Sequence, residues 1–133
     1  EHDFNWSRGA PPSFEGHKPY ICALKSHGLP DGSAFKLHFG PVASGDEGIN
    51  DGARAREIHD STGALAVAWE GAGGARAAVF AGLPFVEVRG ISDMANSEAE
   101  SVWRQNLPRA MGNVAVVLET LVRAIAEDDG GVV

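Results

Sequence analysis

The chain has 133 residues, a formal net charge of −7, 44% hydrophobic residues and 22% charged residues. That length suits one ordinary domain with a core, and the acidic balance argues against nucleic acid as a partner, since phosphate binding asks for clustered Lys and Arg. No apolar run approaches membrane-spanning length, and the single Cys22 excludes an intrachain disulfide, fits a reducing cytoplasm and reads as a small buried residue.

Residues Glu1 to Glu15 are rich in Gly, Pro and Ser and read as a long loop. Gly16 to His27 carries Tyr20, Ile21 and Leu24 at helical spacing, with Gly28 as the stop. Leu29 to Ser33 is a turn. Phe35, Leu37 and Phe39 alternate with Lys36 and His38, which predicts a half-buried strand running on to about Ser44. Gly45 to Gly52 is a loop, and Asp51 is placed to cap a short helix through His59. Ala64 to Trp69 predicts a buried strand, and Gly71 to Ala81 a helix of small residues able to approach a sheet closely. Phe85 to Ile91 predicts another strand. Leu107, Met111, Val114, Leu118, Leu121 and Ile125 recur at helical spacing and predict a long C-terminal amphipathic helix, with Pro108 tolerated near its first turn. Glu127 to Val133 should fray.

A lone acid follows each of two strands: Glu70 after Ala64-Leu65-Ala66-Val67, and Asp93 after the run Leu83 to Ile91. In open α/β sheets ligands bind where strands end and turn into loops. Two carboxylates there could hold a polyol and move a proton. Each has a plainer reading beside this one. Glu70 could favour a helix N-terminus through the macrodipole, and Asp93 could cap the turn that follows it. Arg89 near a strand end is suited to pairing with a carboxylate and holding a site in shape. The five histidines show no metal-ligand spacing. The run Gly71 to Gly74 matches neither phosphate-loop pattern, and no cofactor is implied.

Three segments carry a family resemblance: Val42-Ala43-Ser44-Gly45-Asp46-Glu47-Gly48-Ile49-Asn50, Ala68-Trp69-Glu70-Gly71-Ala72 and Leu83-Pro84-Phe85-Val86-Glu87-Val88-Arg89-Gly90-Ile91-Ser92-Asp93. In order and spacing they resemble the purine nucleoside phosphorylase/nucleosidase family, and within it most nearly the methylthioadenosine/S-adenosylhomocysteine nucleosidases. An early His2-Asp3 pair matches as well. The resemblance spans roughly Glu1 to Ile125. The family domain is much longer, and the match begins in the middle of its pattern. Residues 1–133 are therefore expected to be a single partial domain: the C-terminal half of a three-layer αβα fold with a mixed central sheet. A second chain or an N-terminal half should complete the site, and oligomer contacts should cover the open sheet edge.

The resemblance implies roles residue by residue. Asp93 would protonate the purine leaving group, a step that requires a carboxyl still protonated near neutral pH. Glu70 would accept hydrogen bonds from the ribose 2′ and 3′ hydroxyls and stabilise the oxocarbenium-like cation. Ser92 flanks the acid. Trp69 stands where the family usually has Met beside the sugar, and it could equally be a core aromatic. Gly48 stands where the family often has a Phe stacked on the base, so Trp69 or Trp103 would supply the stacking. The backbone at Ile49 would read the base edge. Trp103 would line the pocket for the 5′ substituent, or else serve as a lid or interface residue. The activity so implied is hydrolysis of an adenosine-type nucleoside in the cytoplasm. A phosphorylase, or a nucleoside-binding module without turnover, remains open as an alternative.

Overall fold

A computed structural model describes residues 13–129. The His2-Asp3 pair, most of the N-terminal loop and the last residues of the expected frayed tail lie outside the described residues. The elements in order are α1 (Lys18–His27), β1 (Val42–Ser44), α2 (Gly52–Thr62), β2 (Ala66–Ala68), α3 (Gly71–Ala81) and α4 (Ala99–Asp129). The two strands pair in parallel, with Val42 opposite Ala66, Ala43 opposite Val67 and Ser44 opposite Ala68. With α2 as the connection they make a βαβ unit, the form a parallel pair requires. The arrangement is α/β.

Local chemistry sets the helix ends. Gly28 ends α1 at φ 73°, a left-handed value open to glycine, and its N–H returns to the Leu24 carbonyl at 3.0 Å. Asp51 caps α2 as expected, its Oδ1 accepting from the Ala53 N–H at 2.9 Å. That helix runs past His59 to Thr62, where Gly63 closes it at φ 70°. The Ser61 and Thr62 hydroxyls both donate to the Ile58 carbonyl, which steadies the extra turn. α3 has the bounds its composition predicts. Its small residues let it sit close: Ala75 is buried, and a Cβ on Gly74 would lie 3.1 Å from the Phe85 ring.

Several expectations need correction, among them the buried strand predicted from Ala64 to Trp69, which is a half-buried strand only over Ala66–Ala68, with Leu65 56% and Trp69 63% exposed. The strand predicted from Phe35 to Ser44 is a strand only over Val42–Ser44. Phe35 and Leu37 do face the core as their alternation implied, but no neighbouring strand meets that stretch to form a ladder. Phe85 to Ile91 is likewise no strand. Its apolar alternation is satisfied against helices instead. Val86 and Val88 pack on the cluster of Leu24, Val117 and Leu121 that joins α1 to α4, and the Phe85 carbonyl accepts from the His17 N–H at 2.7 Å. α4 starts at Ala99, so Pro108 lies inside the helix and not in its first turn. Asn96 closes the turn that leads into α4, its Oδ1 accepting from the Glu98 N–H at 3.0 Å and its carbonyl from the Ala99 N–H at 2.9 Å. Cys22 is exposed, not buried.

The buried face of α4 is also rotated from the one the large residues suggested. Ala110, Val117, Leu121 and Ala124 are buried, whereas Leu107, Met111 and Leu118 of the expected face are 40%, 55% and 45% exposed; Leu121 and Ile125 do face inward as expected. Small residues win because the extended run crosses the helix at very short range. A Cβ on Gly90 would stand 2.5 Å from the Ala110 carbonyl oxygen and 2.9 Å from Val114 Cγ2. Gly90→Ala therefore forces backbone apart and should destabilise the fold by about 1–3 kcal/mol. Urea unfolding followed by circular dichroism checks this, with a clear drop in the midpoint expected.

Candidate functional site

Because β1 and β2 run in parallel, their carboxyl ends fall side by side, and Ser44, Trp69 and Glu70 meet there. The Ser44 hydroxyl donates to the Trp69 carbonyl at 3.2 Å and accepts from the Ala72 N–H at 3.0 Å. It thus ties β1 to the turn after β2 and satisfies one of the open N–H groups at the start of α3. Glu70 occupies the N-cap position of α3 but makes no capping hydrogen bond, so its carboxylate is turned to another use.

That use is an ion pair. Arg89 Nη2 donates to Glu70 Oε2 at 2.8 Å, and Arg89 Nε donates to Glu87 Oε1 at 2.5 Å. The hydrogen bond from Arg89 holds the Glu70 carboxyl below its ordinary value of 4.5, so Glu70 is a carboxylate at neutral pH. Its side chain is 70% exposed. For Arg89, partial burial disfavours the charge, but the hydrogen bonds to Glu87 and then Glu70 outweigh it and hold the guanidinium above its ordinary range.

Trp69 forms the opposite wall. Its indole Nε1 donates to the Glu47 carbonyl at 3.1 Å. A Cβ on Gly48 would lie 3.7 Å from Trp69 Cζ2, so the indole covers the place next to Gly48. Ile49 follows in the same loop, half-buried. Arg54 in α2 steadies that loop through Glu47: its Nη2 donates to Glu47 Oε2 at 2.7 Å and its Nε also reaches that carboxylate, at 3.0 Å.

Asp93 and Ser92 form a second group. The Ser92 hydroxyl donates to Asp93 Oδ2 at 2.7 Å, and Asp93 Oδ1 accepts from the Ala95 N–H at 2.9 Å. Asp93 thus caps a turn whose Ala95 adopts φ 51°, a left-handed value rare for alanine. Asn106 on α4 donates to the Ser92 carbonyl at 2.8 Å and anchors the turn. Trp103 is on α4 one turn before Asn106, half-buried, with the Arg104 guanidinium 5.0 Å from its ring centre. Among the described residues no hydrogen bond joins Asp93 to Glu70. Arg89, on the run leading to Asp93, is what links the two groups.

Sequence reasoning passed over Ser44, Glu87 and Asn106. Ser44 stood inside a quoted motif without a role, and Glu87 was visible as a charge within an apolar run. Asn106 had no signal of its own. Because the Ser44 hydroxyl makes two bonds that hold the strand ends, Ser44→Ala should lower stability by about 1 kcal/mol. A chemical-denaturation curve reads this directly, and an unchanged midpoint would mean the hydroxyl holds nothing.

Comparison with known proteins adds the lineage. The family model described as the phosphorylase superfamily matches residues 13–123. A 5′-methylthioadenosine/S-adenosylhomocysteine nucleosidase of Exiguobacterium sp. strain AT1b is 31% identical over 122 residues, covering 90% of this chain and 51% of that protein. One of the same name from Treponema pallidum strain Nichols is 37% identical over 98 residues, covering 74% of this chain and 32% of that protein. The chain thus spans about half the length of the first relative and about a third of the second. With the family match running through the strand ends, the loop that Trp69 covers and the Asp93 turn alike, the chain belongs to the phosphorylase superfamily.

Proposed function

We propose that this chain carries the sugar- and base-contacting half of a purine nucleosidase that hydrolyses the N-glycosidic bond of an adenosine-type nucleoside. One observation carries the reading. Glu70 is an exposed carboxylate at the end of a parallel strand, ionised chiefly by Arg89 through Oε2 with the backbone at Glu70 and Trp69 also favouring its charge, and no side-chain donor among the described residues reaches its Oε1. A carboxylate so held can accept hydrogen bonds from two vicinal hydroxyls. The names of the two relatives support a nucleosidase.

In this reading the nucleoside lies between Trp69 and Glu70. Glu70 accepts from the ribose 2′ and 3′ hydroxyls, and its charge stabilises the cation that develops at C1′. The indole of Trp69 stacks on the base in place of a ring at position 48, and the backbone at Ile49 reads the base edge. The C1′–N9 bond breaks with its electron pair going to the purine, and Asp93 delivers a proton to N7. Ser92 sets the plane of that carboxyl. Both oxygens of the carboxyl accept here, Oδ1 from the Ala95 N–H and Oδ2 from the Ser92 hydroxyl, so for Oδ2 to carry the proton the Ser92 hydroxyl turns from donor to acceptor. Water bonds to C1′ and loses its proton to a base in the completing half. Trp103 borders the 5′ substituent. The setting is cytoplasmic.

The completing half is part of the proposal, as are the remaining layers and the mixed sheet. Two three-residue strands have open edges on both sides. Val79, Phe80 and Leu83, at the end of α3 and just after it, are 65%, 79% and 64% exposed, and an apolar group of this kind suits a contact with another surface. Light scattering on the isolated chain should therefore show association. A folded monomer of 13.9 kDa would overturn this part.

A binding module without turnover is the second reading, and the turn-capping bonds of Asp93 favour it. Chromatography of base released from adenosine-type nucleosides by the complete protein that contains this chain, with and without phosphate, decides among the readings. The expected result is adenine release without phosphate, and a fall of about two to four powers of ten in Asp93→Asn with little change in affinity. No release from any purine nucleoside would establish the binding module. Release that requires phosphate and yields ribose 1-phosphate would place the chain with the phosphorylases.

A further inference from the structure

Glu87 is a charge within the otherwise apolar run Phe85-Val86-Glu87-Val88. Its side chain is only 20% exposed, and a carboxylate that far from water needs a partner. It lies against the start of α3: a Cβ on Gly71, the first residue of that helix, would overlap the Glu87 carboxylate, which would have to swing aside. Its partner is Arg89, two residues on and therefore on the same side of the extended run, while Val86 and Val88 face the core.

The atoms used on Arg89 matter. Nε and Nη2 form the side edge of a guanidinium, the pair that grips one carboxylate with two parallel bonds. Here that edge is divided: Nε goes to Glu87 Oε1 and Nη2 goes to Glu70 Oε2. The same chain shows the undivided case. Arg54 puts both Nε and Nη2 on the single carboxylate of Glu47, with contacts to both of its oxygens.

We infer that Glu87 is a positioning residue. By occupying Nε of Arg89 it restricts that guanidinium to one bond with Glu70 and keeps Glu70 Oε1 open for the sugar hydroxyls. Without Glu87, Arg89 closes on Glu70 as Arg54 closes on Glu47, and the sugar must compete with a bidentate ion pair. The inference rests on the proposed ribose role of Glu70.

The test is calorimetric titration of the complete protein with adenosine and with 2′-deoxyadenosine, in an Asp93→Asn background that slows turnover. Glu70→Gln should weaken adenosine about ten- to a hundredfold and the deoxynucleoside far less. Glu87→Leu, which fills the seat without an acceptor, should weaken adenosine about tenfold and leave 2′-deoxyadenosine nearly unchanged. Glu87→Gln, which restores an oxygen acceptor for Nε, should recover most of the loss. With Arg89→Met already in place, Glu87→Leu should have no further effect. Equal losses for the two ligands, or the same loss with Arg89→Met present, would overturn the positioning role. If Glu70→Gln itself fails to separate the two ligands, the ribose reading falls and this inference with it. If Glu70→Gln separates them and Glu87→Leu does not, only the inference falls.

Discussion

The alternation of side chains along residues 85–90 connects the core of this protein to its candidate site. A chain held extended sends successive side chains to opposite sides. Val86 and Val88 go to the α1–α4 cluster, and Glu87 and Arg89 go to the strand ends. Gly90 then allows the run to pass within contact of the α4 backbone at Ala110. Any slip by one residue would bury Arg89 and expose two valines, so packing against α4 fixes where the guanidinium stands. The position of Glu70's carboxylate follows from that, because Arg89 is the group that holds it.

The charges around the site orient groups more than they stabilise the fold. Exposed ion pairs contribute little and are screened by salt, and both Glu70 and Glu47 belong to that class by their exposure. Their carboxyls are nonetheless held below 4.5, in each case chiefly by a hydrogen bond from an arginine, Arg89 for Glu70 and Arg54 for Glu47. A carboxyl with a lowered value gives its contribution above the ordinary value and loses it as pH falls through the lowered one. The loop at Glu47 and the Glu70–Arg89 pair therefore keep their geometry at neutral pH, and each loosens in acid as its own carboxyl is protonated.

Much of this organisation was legible in the sequence where a local rule decides it. The glycine stop at Gly28, the Asp51 cap and the bounds of α3 each rest on a short-range requirement of the backbone. The family motifs likewise marked the segments that meet at the strand ends. What was illegible depends on neighbours far away in the chain. Phe85 to Ile91 has the composition of a strand, but a ladder needs a second strand beside it, and here the run lies on helices. The face of α4 was misjudged because periodicity weighs large residues. The close approach at Gly90 brings Ala110 inside and leaves Leu107, Met111 and Leu118 of the expected face partly exposed, while Leu121 and Ile125 keep the places expected of them. Helix α4 starts before Pro108, and Asn96 closes the turn that leads into it, a signal hidden among polar residues. Cys22 is outside for a similar reason: α1 turns Ala23 and Leu24 to α4, and the residue before them faces out.

The pair Trp69 and Gly48 shows how two departures from a family pattern can be one. Taken separately, a bulky indole in place of Met and a glycine in place of Phe look like losses on opposite walls. In the fold they are neighbours. The indole is tethered through Nε1 to the Glu47 carbonyl and lies at ordinary contact distance from where a Cβ at position 48 would be. Any side chain at 48 longer than a methyl would have to turn away or displace the ring. The Ser44 hydroxyl donates to the Trp69 carbonyl and so fixes the backbone that carries this ring at the end of β2. A ring carried by a strand end and fixed at its polar edge has fewer orientations than one on a loop. The bond from Nε1 thus orders an indole that is otherwise 63% exposed, beside a loop residue that carries no side chain.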